Sequence, residues 1–414
     1  MAVSQRRMCN HVFPFFGEHF NFYLVIMSVL FHIVIPFVVS ILAAIWIYPK
    51  MLHIALSKNI VDNPDARKLQ RIPIPVLGGM AIMFGILVSL SVCQLFYDCS
   101  NLFTIVLAMS MMLYVGTIDD IVDLSPTVRF LIEIAVALML MYTCDYSIDD
   151  FHGLWGLYEV PLFVSLPLTV ITVVGLINAV NLIDGVDGYS SGYSIMACSI
   201  FGVLFAFVGD ITMVMLACTC AASLIPFFLH NVFGKTSKMF IGDGGTLVMG
   251  TVMAIFVLNM LKAETLCDIY VSWGMGLVPL TLAILSIPVF DTVRVMSTRI
   301  MRGTSPFHPD KTHLHHLFID MGCSHIGTTC SILLLNLLNI LAWYISYRLG
   351  ASIDVQFYVV LTMAILSTFG FYGFMRFWQR HDSAPWRMMQ RWAHISRVER
   401  KGFFLWLQRF MDGE

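Results

Sequence analysis

Residues 189–229 read YSSGYSIMACSIFGVLFAFVGDITMVMLACTCAASLIPFFL, and Asp210 is the only charged side chain among them. Gly209-Asp210 divides the stretch into two apolar runs, 189–208 and 211–229. Each approaches the roughly 20 residues that a helix needs to cross a bilayer's hydrocarbon core. Two such runs joined by a Gly-Asp turn read as a hairpin of membrane spans. The same window carried outward finds further candidates near 22–46, 76–97, 101–116, 128–143 and 161–177, then near 244–261, 271–293, 326–347 and 355–376. The total is about eleven spans. Composition agrees. Of 414 residues 58% are hydrophobic and 12% charged, and the mean hydropathy is +0.81, whereas a soluble domain averages about 25% charged residues. So few charges cannot cover a 46.7 kDa globule. A soluble enzyme, a disordered chain and a single-span anchored domain are excluded. The expected fold class is an all-α polytopic integral membrane protein, with one transmembrane domain over 1–376 and a basic amphipathic tail over 377–414.

A net charge of −2 gives no global field for nucleic acid. Ten cysteines show no CxxC pair, and most lie in apolar runs, where a thiol behaves as a small hydrophobe. The first apolar run lacks a small-residue cleavage site and reads as a span, not a removed signal peptide. Counting Lys and Arg on alternate sides orients the bundle. The loops 47–75, 117–127 (with Arg129), 178–188, 230–243, 294–325 and the tail carry 20 of the 24 basic residues. The expected topology therefore has these segments in the cytoplasm and the N-terminus outside.

Those same loops carry the unusual polar residues. Asp119, Asp120 and Asp123 follow one span; continued as a helix, they fall within roughly a 100° arc. Three carboxylates that close repel unless a cation stands between them, and Mg²⁺ with a diphosphate fits. An acidic helix cap beside Pro126 would need one Asp, not three. The next loop, NAVNLIDGVDG, repeats polar groups at Asn178, Asn181, Asp184 and Asp187. Amide oxygens coordinate metals, and carboxylates also accept hydrogen bonds from a ribose or base. Phe240-Ile-Gly-Asp243-Gly-Gly opens a further span. A glycine-rich helix N-terminus is an anion site, although a turn capped by Asp243 would look the same. In the longest loop, His313, His315 and His316 suit hydrogen bonding to a phosphate or sugar; no cysteine or dedicated carboxylate completes a zinc shell. Arg67 and Lys68 in the first loop read on their own as a positive cluster at the membrane face. The tail, Trp386 to Val398 and on to Phe410, interleaves Arg with aromatics, with Met388, Trp392, Ile395 and Val398 on one helical face. It is expected to lie on the anionic inner leaflet.

Taken together and in this order, DDIVD, NAVNLIDGVDG, FIGDGG and PDKTHLHH resemble the polyprenyl-phosphate N-acetylhexosamine-1-phosphate transferase superfamily. The HLHH form looks like its GlcNAc-1-phosphate branch. The resemblance implies Mg²⁺-dependent transfer, with Mn²⁺ as a substitute. A sugar 1-phosphate moves from a UDP-N-acetylhexosamine to undecaprenyl phosphate at the bacterial inner membrane, releasing UMP. It implies Asn181 and Asp243 as metal positions, Asp119 and Asp120 as the catalytic acidic pair with Asp123 beside them, and Asp187 and Phe240 as uridine contacts. It also implies His313, His315 and His316 as the sugar-nucleotide loop. Lys68, Arg129, Asn178 and Asp184 complete the expected substrate contacts. Two positions depart from the family: Gln70 stands where His is frequent, and Arg129 where many relatives have Lys, which alters phosphate geometry. The partners implied are the two substrates and the bilayer, with room for a homodimer.

The chemistry fits the residues. A phosphate dianion attacks an anionic diphosphate, so charge neutralisation and in-line positioning are the main tasks. A lipid phosphate with second pKa near 6 needs little help from a base, so Asp119 is open as base, nucleophile or metal-shell organiser. The alternatives are another UDP-N-acetylhexosamine or UDP-MurNAc-pentapeptide donor, and, from a different class, an ion-coupled transporter. Transporters place coupling carboxylates near the bilayer midplane, whereas these cluster at one face.

Overall fold

The computed structural model describes residues 30–63, 72–98, 102–306, 310–395, 397 and 402–413. Among them the chain is built from helices: α1 (Ile35–Ser57), α2 (Gly78–Cys93), α3 (Phe103–Val122), α4 (Pro126–Cys144), α5 (Leu162–Leu182), α6 (Tyr189–Val208), α7 (Ile211–Phe233) and α8 (Gly242–Leu261). Then come α9 (Leu277–Ile284), α10 (Ser286–Met301), α11 (Leu314–Asp320), α12 (His325–Arg348), α13 (Ile353–Arg380), α14 (Ala384–Ile395) and α15 (Phe403–Asp412). Nine helices among the described residues are long and apolar enough to cross a membrane. α9 and α10 together form a tenth candidate bent by 74°, and α2 is a shorter apolar helix. The protein is an all-α polytopic membrane protein. One two-stranded antiparallel ribbon, β1 (Val61–Asp62) with β2 (Ile74–Pro75), is an addition that hydropathy does not register.

Boundaries follow local chemistry. Ser125 caps α4, accepting from the Val128 N–H, and Pro126 takes the first helical position, where no N–H is needed. Asp210 caps α7 through the Met213 N–H, so the only acid of the opening stretch makes the hairpin turn. Several expected limits move. The first span, placed near 22–46, runs to Ser57, with Pro49 tolerated inside it. The second ends at Cys93 rather than 97, and α3 continues to Val122, which puts Asp119 and Asp120 on the helix. Asn178 and Asn181 likewise belong to α5 and not to a loop. The expected boundary at 376/377 falls inside α13, which runs through to Arg380. The tail is two helices, α14 and α15, and not one continuous face; Val398 lies outside the described residues.

α8 is the centre. Its sequence is apolar on every side, and all its residues but Asp243 are buried, as expected of a helix surrounded by others. It packs against α2, α3 and α5. The approach is close because glycines face it: a Cβ on Gly79 would stand 2.2 Å from the Gly245 nitrogen, and one on Gly116 2.4 Å from the Asp243 carbonyl carbon. The start of α8 is also tied by backbone. Pro75 accepts from the Phe240 N–H, while Phe240 and Ile241 accept from Gly78 and Gly79. The proline-glycine run of the first loop thus fixes the FIGDGG segment.

Candidate active site

At the α8 N-terminus a cavity of about 920 Å³ opens. Asp119, Asp120 and Asp123 line it from the end of α3, and Asp184 and Asp187 from the turn after α5. Phe240, Asp243 and His316 complete the expected contributors. Segments far apart in the chain therefore meet in one place.

The three aspartates at the end of α3 are held in different ways. α3 stops at Val122, and Asp123 turns left-handed (φ 53°), which takes its side chain off the helical phase. The other two diverge because each finds a different positive partner. Asp120 accepts from the backbone N–H groups of Asp243 (3.1 Å) and Gly244 (3.4 Å), and so caps α8 from outside it. Asp119 accepts from the Leu124 N–H at 2.7 Å and from Arg129 Nη1 at 3.2 Å. The expected single cluster of three carboxylates is thus two sites, and among the described residues no group of three His, Cys, Asp or Glu side chains is arranged to hold a metal.

Arg129 is the hub. Its Nη1 also reaches Asp243 Oδ2 (3.1 Å), its Nη2 reaches Asn178 Oδ1 (3.0 Å), and its Nε reaches Glu133 Oε1 (3.2 Å). Glu133, only 1% exposed, accepts in turn from Asn178 Nδ2 at 2.6 Å. A planar guanidinium is the one side chain that can serve four acceptors in fixed directions. Asn181 donates to Asp243 Oδ1 (3.0 Å) and to Thr246 Oγ1 (2.8 Å). Asp243, Asn181 and Asp119 thus bring two carboxylates and an amide to one corner, a donor set of hard oxygens that fits Mg²⁺; here the Arg129 guanidinium holds the two carboxylates together.

Also in the cavity lining, Asp187 receives Lys238 Nζ at 2.6 Å and faces His325 Nδ1 at 2.7 Å. Burial alone would raise its carboxyl, but these two partners hold it below the usual range. Lys238 also lies 5.8 Å above the Phe240 ring. Asp184 sits in the cavity wall and accepts from Ser190 Oγ. Desolvation in the wall raises its carboxyl, as do the charges of Asp243 and Asp187, while the hydrogen bond from Ser190 opposes the rise.

The three histidines separate. His316 lines the cavity, and burial holds its imidazole down to about 4, with His313 adding to the effect. His313 and His315 are 5% and 3% exposed and do not line it. His313 Nδ1 pairs with Asp291 at 3.0 Å, while Asp291 also accepts from the Leu314 N–H and from Arg294. His315 packs where any side chain on Gly185 would meet it, a Cβ there lying 2.2 Å from its Nε2. These two shape the loop that presents His316. Lys68 lies outside the described residues.

Sequence reading missed Glu133, Asp291, Arg294 and His325. The first three carried a signal: an ionisable group inside an apolar span with an opposite charge three or four residues away.

The family model "Glycosyl transferase family 4" matches residues 102–261. A probable undecaprenyl-phosphate N-acetylglucosaminyl 1-phosphate transferase of Bacillus subtilis is 29% identical over 339 residues, 81% of this chain and 91% of its own. The undecaprenyl-phosphate alpha-N-acetylglucosaminyl 1-phosphate transferase of Escherichia coli K12 is 27% identical over 330 residues, covering 78% of this chain and 84% of that one. The enzyme of that name from Haemophilus influenzae is 29% identical over 273 residues, 64% and 73% of the two chains.

Proposed function

The chain belongs to the polyprenyl-phosphate N-acetylhexosamine-1-phosphate transferase superfamily, and from that premise we propose that it transfers GlcNAc 1-phosphate from UDP-GlcNAc to undecaprenyl phosphate. An oxygen of the lipid phosphate bonds to the sugar-bearing phosphorus. The bond from that phosphorus to the bridging oxygen breaks, and UMP leaves. The single observation that carries this reading is the cavity, where a wall of aspartates meets an aromatic ring, Lys238 and a neutral imidazole. A midplane ion site, as a coupled transporter would need, has no support.

Asp243 and Asn181 would hold Mg²⁺, with Asp119 beside them on Arg129, and the ion would neutralise charge on the diphosphate. The rest falls to the chain's own groups. Arg129 fixes Asp119 and Asp243 relative to each other and supplies positive charge where two anionic substrates meet. Lys238, held by Asp187 beside Phe240, suits a nucleotide whose base lies against the ring. His316, a neutral donor, suits the diphosphate edge or the acetamido group. Asp119, already accepting from two donors, serves better as an organiser of the lipid phosphate than as a nucleophile.

The membrane is the bacterial inner membrane, with the cavity facing the cytoplasm. The support is that 20 of 24 Lys and Arg lie on the side of the motif loops and that those loops converge on one cavity. The test uses purified protein, undecaprenyl phosphate and a panel of UDP-sugars, with and without Mg²⁺. Lipid-linked GlcNAc and UMP in equal amounts are expected only with Mg²⁺; a product from UDP-MurNAc-pentapeptide alone would reassign the donor.

A further inference from the structure

The cavity has a wall that none of the motifs supplies. Phe404 and Gln408, one helical turn apart on α15, line it, and the Phe404 ring packs 5.2 Å from that of Phe233 at the end of α7. The other face of α15 carries Phe403, Trp406 and Phe410, exposed and stacked at 5.6 and 5.8 Å. The helix therefore presents one side to the cavity and another to its surroundings.

What fixes it there is Asp412. An acid in the last turn of a helix faces the negative end of the helix dipole, an unfavourable place. Its carboxylate is satisfied from elsewhere. It accepts from the backbone N–H groups of Lys235 (3.0 Å), Thr236 (3.0 Å) and Ser237 (2.9 Å), and from Ser237 Oγ (2.9 Å). These bonds hold its carboxyl below the usual range against the opposing effect of burial. The segment they clasp leads straight into Lys238, which grips Asp187 and stands by Phe240. Tyr48 and His230 support the same segment at Ser237, but among the described residues only Asp412 accepts from the Lys235 and Thr236 amides.

We propose that α15 is a wall of the nucleotide side of the cavity and that Asp412 is a positioning residue for the UDP-sugar, acting through the Lys235–Lys238 segment. This rests on the donor-cavity reading above. Because Asp412 acts on Lys238 and not on the α3–α8 corner, its loss weakens donor binding and leaves lipid binding and the transfer step alone.

The test uses the full chain in lipid-supplemented detergent, comparing wild type with Asp412→Ala, Asp412→Asn and Gln408→Ala. Direct UDP binding, KM for each substrate, kcat and thermal unfolding are measured. Asp412→Ala is expected to raise the UDP Kd and the donor KM about tenfold, since charge-assisted bonds to three amides are lost. The lipid KM and kcat should stay within about twofold. Asp412→Asn keeps an acceptor oxygen and should fall between. Gln408→Ala, a wall residue outside the clasp, should raise the donor KM with no change in unfolding, which covers the case of an Asp412 variant that fails to fold. Equal shifts in both KM values, or an unchanged UDP Kd, would overturn the proposal. UDP binding weakened by Asp412→Ala in a protein that makes no lipid product would instead overturn the transfer reading and leave the wall standing. A wild-type protein that binds no UDP would remove both.

Discussion

The Asp120 carboxylate accepts a 3.1 Å hydrogen bond from the backbone N–H of Asp243, so one aspartate of the DDIVD motif holds the helix on which the proposed metal-site aspartate stands. An acid at that place is a cap borrowed from another helix, complementary to the positive end of the α8 dipole. Asp120→Ala should therefore lose stability and activity together, by about 1–2 kcal/mol for the cap. Asp119→Asn should cut turnover with little change in unfolding, because its partners are one amide and Arg129. Thermal unfolding and turnover measured on both variants decide. A stable, inactive Asp120→Ala would put Asp120 in the chemistry instead.

Arg129 and Glu133 form the second test. Glu133 is buried against Arg129 and Asn178, so Arg129→Ala leaves a buried carboxylate uncompensated, a loss of about 3–5 kcal/mol. Arg129→Lys keeps the charge but not the fork, and should lower turnover at least about tenfold while preserving most of the fold. A double variant, Arg129→Met with Glu133→Leu, should recover stability without activity. Recovery of both would make the pair purely structural.

The spans were legible because length and hydropathy are properties of contiguous sequence. The divergence of Asp119 from Asp120 was not. Helical phase puts both near one face, yet their partners come from α4 and from the α8 N-terminus, whose approach depends on Gly79 and Gly116 meeting backbone. The site itself was readable to the extent that its motifs fall in separate loops of one side. Asp291 and Arg294 were readable in principle, being charges inside an apolar run. Asp412 was not, for its partners are 175 to 177 residues away.

The split among the histidines gives a pH prediction. The His316 imidazole is held down to about 4, from an ordinary value of 6.5, chiefly by burial. Between those two values the unfolded chain binds more protons than the folded one, so stability falls as pH is lowered from about 6.5 toward 4 and is flat above. His315 is shifted in the same direction. Unfolding temperature against pH should be shallower over that window in His316→Asn than in wild type; identical slopes would refute the assignment. In the catalytic range near neutrality His316 stays uncharged, so its truncation to Ala should raise the UDP-sugar KM by a factor independent of pH between 6.5 and 8. His313→Ala, which breaks the pairing with Asp291, should instead lower stability.

Asp243 Oδ2 is shared with Arg129, and its Oδ1 with Asn181. Mg²⁺ prefers six oxygens and binds through one or two carboxylates plus phosphates and water, so on the proposed reading Asp243 is the charge the ion would depend on most. Asp243→Asn keeps the shape and the bond from Asn181, but removes the charge. It should abolish transfer, with a loss of several kcal/mol in transition-state stabilisation, and should abolish the Mg²⁺ dependence of UDP-sugar binding. Asp119→Asn should retain that dependence, since its proposed work is on the lipid phosphate. Relief of one negative charge from the Asp119–Arg129–Asp243 group leaves the guanidinium with Asp119 and Glu133, so the fold should hold. Magnesium titrations of nucleotide binding, read beside unfolding temperature, separate the two aspartates without relying on turnover. If Asp243→Asn bound nucleotide with wild-type Mg²⁺ dependence, the ion would have to be held by other groups, and the corner between α3, α5 and α8 would be a structural ion-pair network alone.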